Sequence, residues 1–384
     1  MRLLVAPTML IAAAALVYSN SLSNPFVFDD LSAIVGNHDI RQIWPPVWLD
    51  SSWHGSLFSR PFVMFSLALS YAAGGADSFS FRLANLILHI GSGLLVYAVV
   101  RQLLHSPILR ARVGVDARPL ALACALIWLL HPLQSQCINY VIQRSEILMA
   151  FCALTALYAA QRGLTGGPWW SVLAVFACLM GMASKESMVG VPLLIPLCDR
   201  AMSGNINIWR RRFAFYLGLA ATWLLLIWLL SDKPHRTTIG FDQGISAWTY
   251  AVNQCQAIIG YLHLAYWPAS LVFDYGYPDP ELSLIEVWPQ ALLLLAMLSG
   301  SAWLLYRHPA AGLAAAGFFI LIAPTSSLVP LVKQVAAQRR MYLPLAALIG
   351  LTLCPLYILC LRRKFYLQLA TVLTLCASLA LGFA

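Results

Sequence analysis

Two adjacent carboxylates, Asp29 and Asp30, close the run Asn24-Pro25-Phe26-Val27-Phe28-Asp29-Asp30, shortly after the first apolar segment. Neighbouring acids repel each other, and beside a low-dielectric boundary their protonation is set by the nearest cation or hydroxyl. A general base in a membrane enzyme working at the outer water–lipid interface would be placed there. A structural reading of the pair stands beside it: Asp30 caps the helix entering at Leu31, and Asp29 is simply solvated.

Four separate regions carry cations toward the same side. They are Arg60-Pro61, the stretch Gln143-Arg144-Ser145-Glu146, the turn Ser184-Lys185-Glu186-Ser187, and Gln338-Arg339-Arg340-Met341-Tyr342. A cation at mid-membrane costs about 2.5–3.5 kcal/mol, less near the interface, unless it is paired. Pairing with Glu146 and Glu186 is one account. The other is an anion site at headgroup depth, where arginine's fork of donors matches phosphate oxygens. A base facing such cations suits displacement at a carbon bearing a lipid-linked phosphate. The acid pair removes a proton from an acceptor hydroxyl, and Arg60, Arg144, Lys185 and Arg340 stabilise the departing phosphate. A single displacement inverts the anomeric centre.

Other polar residues read as support. His89 follows Asn85 by four residues, so both share a helix face. His131 precedes Pro132 at a helix end, with Tyr140 downstream. Both histidines read as hydrogen-bonded packing residues. No His, Cys and carboxylate set has zinc spacing, so no metal is expected, although the acid pair alone could hold a divalent ion. There is no Gly-rich phosphate loop, which argues against a soluble nucleotide-sugar donor. The nine cysteines are scattered and expected to be reduced.

The elements that must hold these residues are membrane helices. The chain has 384 residues, 60% hydrophobic and 10% charged, with mean hydropathy +0.75. A soluble domain would carry roughly a quarter charged residues. The sequence predicts one all-α unit over 1–384, a polytopic bundle of eleven spans. These lie near 2–18, 82–102, 119–135, 143–160, 168–183, 187–199, 213–231, 287–306, 310–328, 342–361 and 365–383. The first reads as a retained signal anchor. Residues 61–73 and 251–273 read as interfacial or re-entrant. With the N-terminus inside, the inner loops collect Arg101, Arg110, Arg112, Arg118, Arg162, Arg200, Arg210–Arg212, Arg307 and Arg362–Lys364, and most acids fall outside. The net charge of +9 is therefore a topology signal, and nucleic acid is not an expected partner. Two large outer loops result, 19–81 with the acid pair and an amphipathic stretch bearing Trp44, Trp48 and Trp53, and 232–286. The chain is expected to end just past the last span, outside.

These same residues resemble the membrane O-mannosyltransferases with tetratricopeptide repeats, the TMTC family, and their bacterial relatives within the GT-C glycosyltransferases. The matching stretches are Phe26 to Asp30 with Asn37, Arg60-Pro61, Asn85 with His89, His131-Pro132 through Tyr140 to Arg144, and Ser184-Lys185-Glu186. Tyr261-Leu262 through Trp267-Pro268 to Asp274, and Arg340-Met341-Tyr342-Leu343-Pro344, complete the ordered series. The resemblance implies a GT-C-like bundle and a polyprenyl- or dolichyl-phosphate monosaccharide donor. It implies transfer to a hydroxyl of protein, glycan or lipid, with the catalytic carboxylate falling on Asp29. The family's repeat domain is not in this sequence, so a partner chain supplying one is expected, or a different mode of acceptor recognition.

Two other functions remain open to the sequence, a transporter or flippase of lipid-linked sugar and a non-catalytic scaffold of a glycan assembly complex. A transporter should show internal repeats and ionisable residues near mid-membrane, and neither is clear. No cofactor is expected. The setting expected is a bacterial inner membrane, with the site on the periplasmic face.

Overall fold

The computed structural model describes residues 4–46, 49, 59–113, 117–231, 245–269, 271–327, 330 and 334–362. Trp48, Trp53 and the expected last span at 365–383 lie outside the described residues. Among the described residues every regular element is helical. The longer helices are α1 (Val5–Tyr18), α2 (Pro61–Gly74), α3 (Ser78–Leu104), α4 (Pro107–Val113), α5 (Arg118–Leu130), α6 (Ser135–Asn139), α7 (Arg144–Arg162) and α8 (Trp169–Met182). They continue with α9 (Val191–Ser203), α10 (Ile208–Arg211), α11 (Phe213–Ser231), α12 (Ala247–Tyr266), α13 (Trp288–Arg307), α14 (Pro309–Ile322) and α15 (Pro344–Arg362).

Each expected apolar run up to residue 361 is therefore a helix, but the helices are unequal. Four are long and apolar enough to cross a membrane: α3, residues 141–162, α11 and α13. A fifth arises if α5 and residues 132–139, bent by 52° at His131, count as one span. Helices α1, α2, α8, α14 and α15 are shorter apolar helices. At 1.5 Å per residue, fourteen residues reach only about 21 Å against a hydrocarbon core of about 30 Å. Helix lengths thus stop short of the eleven-span count. The shortening has local causes. Pro132, Pro309 and Pro344 open new helical segments just after the preceding ones end, and Gly204 stops α9 in the left-handed conformation at φ 67°.

One large apolar core joins α1, α3, α5, α7, α8, α9, α14 and α15. A second, smaller core is built at one end from Ala33, Ile34 and Ile40 of the first loop, Val63, Met64 and Leu67 of α2, Phe81, and Val141 and Ile142. This second core lays the loop of the acid pair over the starts of α3 and α7. Gly190 lets the turn before α9 approach α14 closely, since a Cβ there would meet the Ile320 carbonyl oxygen at 2.7 Å. At the opposite end, Arg212, between α10 and α11, and Tyr216 of α11 donate to the buried Asp199 of α9.

Candidate functional site

The two acids face different ways. Asp30 is fully buried and accepts backbone N–H bonds from Ile142 at 2.8 Å, Val141 at 3.3 Å and Val27 at 3.4 Å. Burial pushes its carboxyl above the ordinary range, and those N–H groups with the Arg82 cation only partly offset the push. Asp30 therefore ties the first loop to the start of α7. Asp29 is exposed. The preceding Phe28 sits at φ 48°, a region bulky residues rarely adopt, and it stacks on Phe273 with ring centres 4.5 Å apart. The Asp29 amide donates to the Tyr140 hydroxyl at 3.2 Å, and the Asp29 carboxylate bonds that phenol. Burial and then this carboxylate raise the phenol well above its usual value.

Six of the expected charged groups join into one chain of contacts. Arg60 pairs with Glu186 at 3.0 Å, and Lys185 pairs with Glu146 at 2.6 Å. Glu186 lies within electrostatic reach of Lys185, and Lys185 within reach of Arg339. Arg339 in turn lies within reach of Glu146, Arg340 and Tyr140. Burial alone would raise the Glu186 carboxyl, but Arg60 and Lys185 outweigh it and hold the group below its ordinary value. Burial lowers Lys185 and Arg339 despite their acidic partners. Arg340 donates to the carbonyls of Gln334 at 2.8 Å and Val335 at 3.1 Å, and lines a small cavity with Glu146 and Ser187. The Ser187 hydroxyl is buried without a hydrogen-bond partner among the described residues. The cluster of Arg60, Lys185, Arg339 and Arg340 against Glu146 and Glu186 carries four positive and two negative charges, a formal excess of two.

Arg144 does not join that cluster. It is fully buried, and its guanidinium donates to Asn85 Oδ1 at 2.7 Å, Ser66 O at 2.9 Å, Ser70 Oγ at 2.7 Å and Phe81 O at 2.6 Å. With its fork filled by protein acceptors, Arg144 pins α2, α3 and α7 together, and Asn85 serves it. The expected phosphate contact from Arg144 has no geometric counterpart.

The aromatic supports form another knot. Tyr342 donates to His89 Nδ1 at 2.8 Å, because His89 Nε2 must donate to the Leu129 carbonyl at 2.9 Å. Trp128 donates to the Tyr342 carbonyl at 2.8 Å. The knot fastens the turn bearing Arg339 and Arg340 to α3 and α5. His131 accepts from the Leu133 amide and donates to Ala265 O at 3.1 Å, which ties the α5 corner to the end of α12.

Arg82 escaped the sequence reading. It is buried at 2% exposure and donates to the carbonyls of Asn24, Pro25 and Asn139. Its signal was available: a cation one turn into an apolar helix, three residues before Asn85, demands a buried partner. Among the described residues, no group of three His, Cys, Asp or Glu side chains could hold a metal ion.

An apolar cleft of about 740 Å³ runs between α3, α4, α7, α9, α14 and α15. It extends from Arg307 and His308 to Leu321 and Leu343. Those last two residues also line the cavity of Glu146 and Arg340.

No protein-family model matches the chain, and no solved structure matches it. Curated relatives do. The chain is 26% identical over 325 residues to protein O-mannosyl-transferase Tmtc1 of Drosophila melanogaster, covering 76% of this chain and 36% of that protein. It is 27% identical over 320 residues to protein O-mannosyl-transferase Tmtc2 of the same fly, covering 76% and 33%. It is 26% identical over 218 residues to protein O-mannosyl-transferase TMTC4 of Homo sapiens, covering 51% and 29%. The chain spans about a third of the length of these relatives. Its homologues are TMTC-type O-mannosyltransferases, and the chain resembles a membrane glycosyltransferase of that kind.

Proposed function

We propose that this protein transfers a monosaccharide from a polyprenyl- or dolichyl-phosphate donor to an acceptor hydroxyl at the outer face of the membrane, within an eleven-span GT-C-like bundle. The observation that carries the reading is the Tyr140 junction, with the exposed Asp29 on one side and the cation cluster through Arg339 on the other. The Asp29 carboxylate takes the proton of the acceptor hydroxyl. The hydroxyl oxygen bonds to the anomeric carbon as the carbon–oxygen bond to phosphate breaks, and the phosphate leaves with the electron pair. One such displacement inverts that centre.

The phosphate's place is the cluster of Arg60, Lys185, Arg339 and Arg340, whose excess of two positive charges complements a departing phosphate dianion. The apolar cleft beneath Arg340 gives the isoprenoid tail a path through the bundle. Asp30, Arg82 and Arg144 are positioning residues. A protein acceptor accords with the relatives' names, and an inner-membrane setting with the arginine-rich loops at the opposite end.

Purified protein in nanodiscs, given polyprenyl-phosphate mannose and a Ser/Thr peptide, should release polyprenyl phosphate as peptide is glycosylated. Asp29→Asn should lower both by about 10²–10⁴-fold while the protein stays folded. Full turnover by that variant, or loss of donor binding only on mutation outside the cluster, would overturn the reading. The absence of any lipid phosphate in mass spectra of the purified protein would count against it.

A further inference from the structure

A second cavity, of about 410 Å³, touches Tyr140 and Gln338 and is lined by Asn24, Gln136, Asn139 and the strip Leu271-Val272-Phe273. Its chemistry differs from that of the cation cluster. Arg60, Lys185, Arg339 and Arg340 are not among its lining residues. The charged group that does line it, Arg82, is turned into the wall by its bonds to Asn24, Pro25 and Asn139, with Asp30 as counter-charge. What remains is neutral and hydrogen-bonding. The Asn139 Oδ1 is buried and has no partner among the described residues. Gln136 forms a wall shared with the cluster: its Nε2 donates to Phe273 O at 2.9 Å, and its Oε1 accepts the Arg339 amide at 3.0 Å.

The strip 271–273 is non-helical and exposed. Among the described residues, the backbone N–H and C=O groups of Leu271 and Val272 make no hydrogen bond. The two residues are 36% and 41% exposed. Free main-chain groups flanked by apolar side chains match the alternation of a polypeptide, which pairs along such an edge. A bare glycan offers no such alternation. The Phe28 and Phe273 rings also cover each other, so their facing surfaces cannot serve as a sugar platform.

We propose that this cavity is the acceptor subsite, and that it takes an uncharged, extended stretch of polypeptide paired along Leu271–Phe273, presenting a Ser or Thr hydroxyl beside Tyr140. Delivery of that hydroxyl to Asp29 rests on the function proposed above; the peptide binding itself does not. A charged side chain entering the cavity would lose its hydration and find no countercharge, so neutral sequences are selected.

The test uses the full chain in nanodiscs with no sugar donor present. The probe is an end-capped peptide of Ala and Val around one Thr, with a photoactivatable residue beside the Thr. Saturable labelling is expected at residues 135–140 and 271–273, competed by unlabelled peptide. Val272→Pro removes a main-chain N–H, and Asn139→Leu removes the unpaired acceptor; each should weaken binding about tenfold, the worth of one or two hydrogen bonds. Replacing the residues flanking Thr by Glu should weaken it comparably. No saturable labelling, labelling elsewhere, indifference to both variants, or competition by a mannose oligosaccharide but not by peptide would overturn the proposal. Peptide bound here but never glycosylated once donor is added would uphold the subsite and sink the transferase reading.

Discussion

The Tyr140 hydroxyl accepts the Asp29 amide at 3.2 Å, across 111 residues of sequence. That bond fixes the turn in which Phe28 takes a positive φ, and so sets where the neighbouring carboxylate lies. Asp29→Asn should lower transfer by about 10²–10⁴-fold, the usual range for losing a general base. Tyr140→Phe keeps the ring but loses the hydroxyl, and should cost about tenfold, within the worth of one hydrogen bond. Turnover of the donor at matched protein concentrations checks both. Asp29 is exposed, so its variant should unfold at the wild-type temperature.

Asp30→Asn should behave in the opposite way. The amide replaces one acceptor oxygen by a donor and leaves a buried backbone N–H of Val141 or Ile142 facing it. The expected loss is about 1–3 kcal/mol of stability, read as a lower midpoint of thermal unfolding in detergent. An unchanged midpoint would show that Asp30 is not the tie between the first loop and α7.

Arg144→Ala should be among the most damaging substitutions. It strips partners from Asn85, Ser66, Ser70 and Phe81 at once and leaves buried acceptors orphaned. A loss of about 3–5 kcal/mol is expected, comparable with breaking a buried ion pair. Arg339→Ala should instead raise the KM for donor with a smaller effect on unfolding. Parallel melting curves and donor titrations separate the two arginines.

Lys185 and Glu146 form a buried pair at 2.6 Å. Lys185→Met or Glu146→Gln alone strands a charge and should destabilise by about 3–5 kcal/mol, whereas the double variant should recover much of that loss. Additive losses in the double-mutant cycle would mean that the two charges act independently.

Glu186 supplies a pH dependence. Its folded-state value lies below the ordinary 4.5, so its contribution to stability is fully present above that value and is lost as pH falls through the lower, folded-state one. The advantage of wild type over Glu186→Gln should be constant near neutrality and fall away only as the pH drops below 4.5 through the folded-state value. Unfolding midpoints measured across that range are the check. An advantage that persists in strong acid would show that charge is not its source.

Much of the architecture was legible because membrane helices announce themselves through composition. Unbroken apolar runs of helix-spanning length, bounded by arginines or prolines, satisfy their backbone in lipid as helices, whereas barrel strands would alternate in polarity. The charged positions stood out for a related reason: Asp29, Arg60, Lys185 and Arg340 are costly in so apolar a chain, and the sequence retains few such groups. Span count was less legible, because hydropathy does not see the 52° bend at His131 or the shortness of α8 and α14.

By itself the sequence determined that helices would carry a few ionisable groups to shared ends of the bundle, since burial of unpaired charge in lipid is too unfavourable to be scattered. Only the tertiary structure decided what each group does there. Asp29 and Asp30 are chemically the same, yet one accepts three buried N–H bonds and the other meets solvent beside Tyr140. Arg144 and Arg340 are the same residue type, yet Arg144 is fully buried on four fixed acceptors, whereas Arg340 holds three protein acceptors and also lines the cavity of Glu146. Apart from Val27, three residues before Asp30, the partners of Asp30 and Arg144 lie roughly 60 to 110 residues away along the chain, so no local pattern of residue types encodes which way a side chain will turn.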